Sequence, residues 1–267
     1  KYKKKRLFSV LHINSYDEYH IHKRALLCAE LCLMSYNNET SNYKHKGIHI
    51  CIKNKVSELK YKSIQFHIYQ SKQTQILVIR GTDTRYGYAE TLSDLLVSFR
   101  FIPTLISEGL YCHHGYSYVG QRIVEQLRKN NLIDKNKKLI ITGHSLGGAI
   151  AKFISVHMEQ DIDLYTFGAP QVAQQNYYSY RYQVDEHHYM NKHDWLCSFP
   201  SHLYNDYRTI YVMDGENINH DVIKHRGLLM PFIKSIGHGI FTNNEFLKPH
   251  ALKTYISNLD VYTNNKL

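Results

Sequence analysis

Residues 137–158, KKLIITGHSLGGAIAKFISVHM, constrain the fold more than any other stretch of this chain. Leu139, Ile140 and Ile141 form a short apolar run that predicts a buried strand. Ala149, Ile150, Phe153 and His157 then recur at helical spacing. Between them sits Gly143-His144-Ser145-Leu146-Gly147, a G-x-S-x-G pentapeptide. A strand that turns this sharply into a helix forces the corner residue into a strained backbone. The flanking positions must then be glycine, so that nothing collides with the helix. The serine oxygen is held out at the carboxyl edge of the sheet, beside the positive helix N-terminus. The pentapeptide alone would also suit a glycine-rich, anion-binding turn. The flanking strand and helix are what favour a serine nucleophile.

The rest of the chain repeats this alternation. Residues 22–36 read as a helix with a broad apolar face of Ala25, Cys28, Ala29 and Cys32. SIQFHIYQS (63–71) alternates like a strand, and QILVIRGT (75–82) is a continuous apolar run ending at Gly81. The stretch 88–106 mixes apolar and polar residues without a strand period, and Pro103 interrupts it. Residues 113–131 predict a helix with Val119, Ile123, Val124 and Leu127 inward. DLYTFGAP (163–170), HHYMNKHDWLCSFP (187–200) and YRTIYVMDG (207–215) each predict a strand with its turn, and a helix carries Leu252, Tyr255 and Ile256. Strands alternating with helices argue for one doubly wound, mostly parallel α/β sheet with helices on both faces. No linker or internal repeat divides the 267 residues, so the expectation is a single domain, 1–267, with a basic N-terminal arm at 1–20 that opens on the Lys1–Arg6 cluster.

Composition narrows the function. The chain is 43% hydrophobic, enough for a substantial core, and it has no run of about eighteen apolar residues. We therefore expect no transmembrane helix, and no secretory signal is visible at the start. The first residue is Lys rather than Met, from which we expect a processed or trimmed chain. Net charge is +10, which favours anionic partners. The basic residues are mostly scattered and no RNA-binding signature accompanies the 23 tyrosines, which argues against nucleic acid. The five cysteines are odd in number and unevenly spaced, so they describe no disulfide framework. Cys28 and Cys32 suit a helix core. The His-rich pieces lack zinc-ligand spacing, so no metal is expected.

At this point the motifs carry a family resemblance. From about residue 22 to 257 the chain resembles the class 3 (fungal-type) triacylglycerol lipases of the α/β-hydrolase fold. GHSLGGAIA resembles the family's elbow, VIRGT its F-R-G-[ST] block, SDLL the D-L after the lid, and CHHGY the V-H-x-G-F block. YTFGAP is similar to T-x-G-x-P, KHDWLCSFP to D-x-V-P-x-x-P, and PHALKTYI to H-x-x-x-x-Y. There are departures: Trp195-Leu196-Cys197 stands where the family has valine and proline, and Gln171 where it has arginine.

The resemblance implies a Ser-His-Asp hydrolase that needs no cofactor. Chain order and motif position make Asp194 the acid, with Asp185, Asp206 and Asp214 as alternatives. His250 is the best base, with His238 and His220 as rivals, while His144 is expected to pack under the turn. The backbone N–H of Leu146, at the helix start, is one oxyanion donor by geometry. Thr82 resembles the family's other donor; its alternative is a plain loop residue after Gly81. The segment 83–93 corresponds to the family's lid, with Tyr86, Tyr88, Ala89 and Leu92 as members that could meet a lipid surface; an ordinary solvated loop is the alternative.

The implied substrate is a lipid or phospholipid ester at a membrane or lipid interface, with triacylglycerol lipase and phospholipase A chemistry both open. A lipolytic toxin or effector delivered to a target membrane, a soluble-ester (feruloyl-type) esterase, and a non-catalytic protein on the same fold are the other readings.

Overall fold

The computed structural model describes residues 15–37, 44–45, 48–56, 64–81, 103–107, 110–173, 184–198, 210–215, 217–221 and 248–265. The main sheet is built from β1 (Lys44–His45), β2 (Ile48–Val56), β3 (Ile64–Gln70), β4 (Thr74–Ile79), β7 (Lys138–His144), β8 (Ile162–Phe167), β9 (Val184–Asn191), β10 (Ile210–Asp214) and β11 (Asn217–Asp221). Among the described residues these nine strands stand in the order β1-β2-β3-β4-β7-β8-β9-β10-β11. The five from β4 to β10 run parallel, and the strands outside them pair antiparallel. β5 (Pro103–Ser107) and β6 (Leu110–His113) form a separate antiparallel hairpin.

Four helices cover the sheet in the described residues: α1 (Ser15–Asn37), α2 (His114–Lys129), α3 (Leu146–Ser155) and α4 (Leu252–Asn265). Successive strand residues point to opposite faces, and the sequence supplies apolar groups to both. Leu77, Ile79, Leu139, Ile141 and Leu164 pack with α2 and α3. Ile76, Val78, Ile140, Tyr165 and Phe167 pack with α1 and α4. That two-sided demand explains why the central strands read as continuous apolar runs. α3 is buried along its whole length, and each fully buried large apolar side chain there contributes about 1.5–3 kcal/mol. Gly120 lets α2 approach it closely, since a Cβ at that position would run into the Phe153 ring.

The registers align the carboxyl ends of the parallel strands. Ile79 pairs with Gly143, His144 with Phe167, and Phe167 with Tyr189. One edge of the sheet therefore gathers the turns that follow β4, β7, β8 and β9.

Four features differ from the sequence expectation. Residues 15–20, expected in the N-terminal arm, are the opening turns of α1, whose apolar stripe begins only later; residues 1–14 lie outside the described residues. β2 has no clear signal in the sequence, because IHICIKNKV carries charge through a strand near the sheet edge. The β5–β6 hairpin forms where Pro103 suggests only a break: Pro103 opens β5, a position where its missing N–H is tolerated. β11 is a polar edge strand, NINHD, with no apolar period to reveal it. The candidate lid, 83–93, lies outside the described residues. Among those described, no helix is long and apolar enough to cross a membrane.

Candidate active site

Ser145 is the hinge between β7 and α3. Its φ of 56° and ψ of −128° lie in a region that L-residues rarely adopt. The glycines make this turn possible by absence. A Cβ on Gly143 would strike the backbone of Gly147, and one on Gly147 would strike the carbonyl of Ile79. The Ser145 N–H is held by the Phe167 carbonyl at 2.9 Å, tying the corner to the end of β8. The first N–H groups of a helix lack intrahelical acceptors. The Leu146 N–H, first in α3 and next in sequence to Ser145, is one of these groups.

The structure brings Ser145, His250 and Asp194 together. The Ser145 Oγ lies 2.9 Å from His250 Nε2, and His250 Nδ1 lies 2.8 Å from Asp194 Oδ2. All three are buried. A carboxylate only accepts, so Nδ1 carries the proton and Nε2 accepts from the serine hydroxyl. Asp194 follows β9 at the head of the short helical turn Trp195–Ser198, and its Oδ1 accepts the Leu196 N–H at 3.2 Å. Its Oδ2 also accepts the Tyr255 hydroxyl at 2.6 Å. Burial alone would raise the Asp194 carboxyl. The His250 charge and hydrogen bond, the Tyr255 hydroxyl and nearby His144 outweigh it and hold Asp194 below the ordinary carboxylate range. Burial, followed by the Asp194 charge, pushes the Tyr255 hydroxyl well up, so it stays a protonated donor.

His144 does pack under the turn, and it supports the base. Burial first, then His250, pushes it down to about 3, so it is neutral. Its Nε2–H donates to the His250 carbonyl at 2.8 Å, and its Nδ1 accepts from the Tyr36 hydroxyl at 3.1 Å. One tautomer satisfies both contacts. α1 thereby reaches the backbone of His250 through two side chains.

The rival acids and bases that fall in the described residues lie elsewhere. Asp185 is exposed beside His187, and Asp214 pairs with Lys192 at 2.6 Å on the surface. His220 is exposed on β11. Asp206, His238 and Thr82 lie outside the described residues. Gly81, just before Thr82, does lie against the elbow, because a Cβ on Gly147 would come within 2.9 Å of its nitrogen.

Several supporting residues escape sequence reasoning. Asn191 donates its N–H to the Tyr255 oxygen at 3.1 Å and accepts the Asp194 N–H on its carbonyl at 2.9 Å. In the sequence Asn191 reads only as part of a surface turn. Gly168, expected merely to close a strand, has a φ of +57°, and a Cβ there would lie 2.8 Å from Asp194 Oδ2 and 3.0 Å from the His250 ring. The G of TFGAP thus makes room for the acid–base pair. Cys28, Cys32, Cys112 and Cys197 are buried, the first two on the core-facing side of α1, as their helical spacing suggests. Among the described residues, no group of three His, Cys, Asp or Glu side chains is placed to hold a metal ion.

Such an array can take the serine proton onto an oriented imidazole and stabilise the resulting imidazolium, with helix N–H groups facing any oxyanion formed nearby. Known proteins share the arrangement of elements that carries it. Residues 76–204 match the family described as Lipase (class 3). Toxin TseL of Vibrio cholerae is 29% identical over 98 residues, which are 35% of this chain and 15% of that protein. A lipase from Rhizopus microsporus var. chinensis superposes with a TM-score of 0.65 at 15% identity, covering 91% of this chain and 90% of that one. The Rhizomucor miehei triacylglyceride lipase gives 0.59 at 16% identity, covering 96% and 98%. Lipase II from Rhizopus niveus gives 0.60 at 17%, covering 77% and 85%. Residues 76–204 thus belong to the class 3 lipase family, and the chain has the α/β-hydrolase fold of the fungal lipases.

Proposed function

We propose that this chain is a serine hydrolase of lipid carboxylic esters. Ser145 is the nucleophile, His250 the general base and acid, and Asp194 the carboxylate that orients His250. The Leu146 N–H and Thr82 supply the oxyanion donors. The observation that carries the reading is the hydroxyl–imidazole–carboxylate chain of 2.9 and 2.8 Å, ending on a serine at a strained strand-to-helix corner.

In the forward step His250 Nε2 takes the Ser145 proton as Oγ attacks the ester carbonyl. The oxyanion forms beside the α3 N-terminus. His250 then returns the proton to the leaving alcohol, and the acyl group stays on Ser145. Water deprotonated by the same imidazole attacks the acyl-enzyme, and the fatty acid leaves as the Ser145 hydroxyl is restored. Every proton moves through atoms of this chain, the substrate and water.

Within lipid esters we favour phospholipid in a membrane, a phospholipase A-type reaction, because the net charge of +10 draws the chain to anionic bilayers. Use as a lipolytic toxin or effector is a second reading. The similarity to Toxin TseL over 98 residues favours it. A fluorophosphonate probe tests the core claim. It should label the wild type and fail on Ser145→Ala, and a wild type that takes no label even with detergent would overturn the reading. Phospholipid, triglyceride and short-chain ester substrates offered side by side then decide the class. Faster turnover of neutral triglyceride than of anionic phospholipid vesicles at low salt would replace the phospholipase reading by a triacylglycerol lipase.

A further inference from the structure

The described residues expose three large hydrophobic side chains, Leu105 at 56%, Tyr111 at 40% and Tyr118 at 38%. All come from one short stretch of chain. Leu105 stands directly opposite Tyr111 in the β5–β6 register, and opposed residues share a face of a sheet. Tyr118 lies on α2, which continues straight from β6, and the Arg122 guanidinium sits 5.6 Å over its ring. The strand residues 103–107 and 110–112 contain no Lys, Arg, Asp or Glu, in a chain that is 21% charged; the one acidic residue of the hairpin, Glu108, stands in the connection between them. Exposed strands usually carry charge to prevent unwanted pairing. Here two opposed apolar side chains of the hairpin, Leu105 and Tyr111, are exposed instead.

Its anchorage gives the face a direction. The His113 N–H donates to the Val172 carbonyl at 2.8 Å, and Cys112 makes a β-bridge with Ala173. Val172 and Ala173 belong to the segment that leaves β8 at Gly168, and Gly168 abuts the Asp194–His250 pair. The hairpin is therefore fixed to the same edge of the sheet that carries Ser145.

We infer that the β5–β6 hairpin is a membrane-docking surface, which seats Leu105 and Tyr111 in the headgroup region of an anionic phospholipid bilayer. The inference rests on the lipid-ester reading above. Two or three side chains are too few for a protein partner, since a stable interface buries about 800 Å² on each side. They suffice for an interfacial anchor, where charge supplies the rest of the affinity. Leu105 offers an apolar group and Tyr111 a ring with a polar tip, the pairing suited to the headgroup boundary. The +10 charge complements an anionic leaflet.

The test uses the full chain carrying Ser145→Ala, so that lipid is not consumed, with vesicles of equal parts phosphatidylcholine and phosphatidylglycerol. In flotation, adding Leu105→Ser and Tyr111→Ser should weaken binding about tenfold. Tyr111→Trp should keep binding, and its emission should move to the blue when vesicles are added; the chain's single natural Trp, Trp195, is buried. Unchanged flotation of the double variant overturns the inference, as does emission from the Tyr111→Trp variant that is blind to vesicles. If the double variant does not fold, the Tyr111→Trp emission and its quenching by brominated lipid decide alone. A wild-type dimer in sedimentation that the double variant breaks without lipid would assign the face to a second copy and also overturn it. Binding is read without hydrolysis, so a failure of the Ser145 reading shows separately, in the fluorophosphonate labelling.

Discussion

Among the described residues, two hydroxyl–imidazole–carboxylate arrays have both links shorter than 3 Å, and we propose chemistry for only one of them. At the sheet edge, Ser145, His250 and Asp194 are linked at 2.9 and 2.8 Å. Deeper in, Thr166 Oγ1 lies 2.7 Å from His188 Nδ1, and His188 Nε2 lies 2.9 Å from Glu186 Oε2. Burial first, then the charges of Lys152 and His187, push His188 well below its ordinary range, so it is neutral, donates to Glu186 and accepts from Thr166. The side chains form the same sequence of donors as the first array, with the ring nitrogens exchanged. What differs is the backbone. Thr166 sits mid-strand between Gly143 and His188 in the registers of β8 with β7 and β9, and its surroundings are sealed. Ser145 stands at a positive φ on the first turn of a helix. A hydroxyl next to histidine is common chemistry; a hydroxyl next to the open N–H groups of a helix start, at a sheet edge, is the rarer condition, and it is set by the elbow glycines.

Substitutions can break this contrast. Ser145→Ala should lower kcat by about 10⁵-fold or more. The fold should survive, as judged by an unchanged far-UV spectrum. Asp194→Asn should cost about 10⁴-fold in kcat, because the amide favours the wrong His250 tautomer. Near-wild-type turnover there would move the acid role to Asp206, since Asp185 and Asp214 lie on the surface. Tyr255→Phe removes one donor from Asp194 and leaves the Asn191 N–H without that acceptor. A drop of about tenfold in kcat/KM is expected, from a hydrogen bond to a charged group.

The second array should answer in stability rather than turnover. His188 stays neutral in the fold but takes a proton in the unfolded chain near pH 6.5. The unfolded state then binds more protons, so stability falls as pH drops below that value. Asp194 works in a lower window: its folded carboxyl lies below the 3.8 of the free group, so its contribution is present above that value and is lost only as pH falls through the folded one. Urea midpoints should therefore decline between about pH 7 and pH 5. His188→Gln should flatten part of that decline, and Asp194→Asn should leave it unchanged. The smallest effect is Thr166→Val, with turnover within about twofold of wild type and a stability loss of about 1 kcal/mol. A large loss of turnover in Thr166→Val would erase the distinction between the arrays.

The elbow is legible in the sequence because its constraint is local: strand, glycine, serine, glycine and helix occupy adjacent positions. Asp194 and His250 are legible through the order of the family's blocks. The parallel core strands announce themselves as apolar runs. The buried polar residues do not. Lys152, Glu186 and His188 read as surface groups, since a charged side chain in a sequence does not reveal the partner that lets it be buried. Gly168 and Tyr255 stand in the family-like blocks YTFGAP and PHALKTYI, but the contact each makes with Asp194 joins positions 26 or more apart and is read only from the fold. The hairpin escapes notice because its strands are short and one begins with proline.

The distance between Ser145 and His250 along the chain has a consequence for timing. The two are 105 positions apart, and the imidazole arrives immediately ahead of α4, which packs with α1 in the same apolar cluster. During synthesis from the N-terminus, the elbow and most of the parallel strands emerge well before the base does. A ribosome-bound chain halted before residue 250 would display the serine with no imidazole to activate it. Reactivity toward a serine probe therefore reports arrival of α4, and it can serve as a stopwatch for that step of assembly.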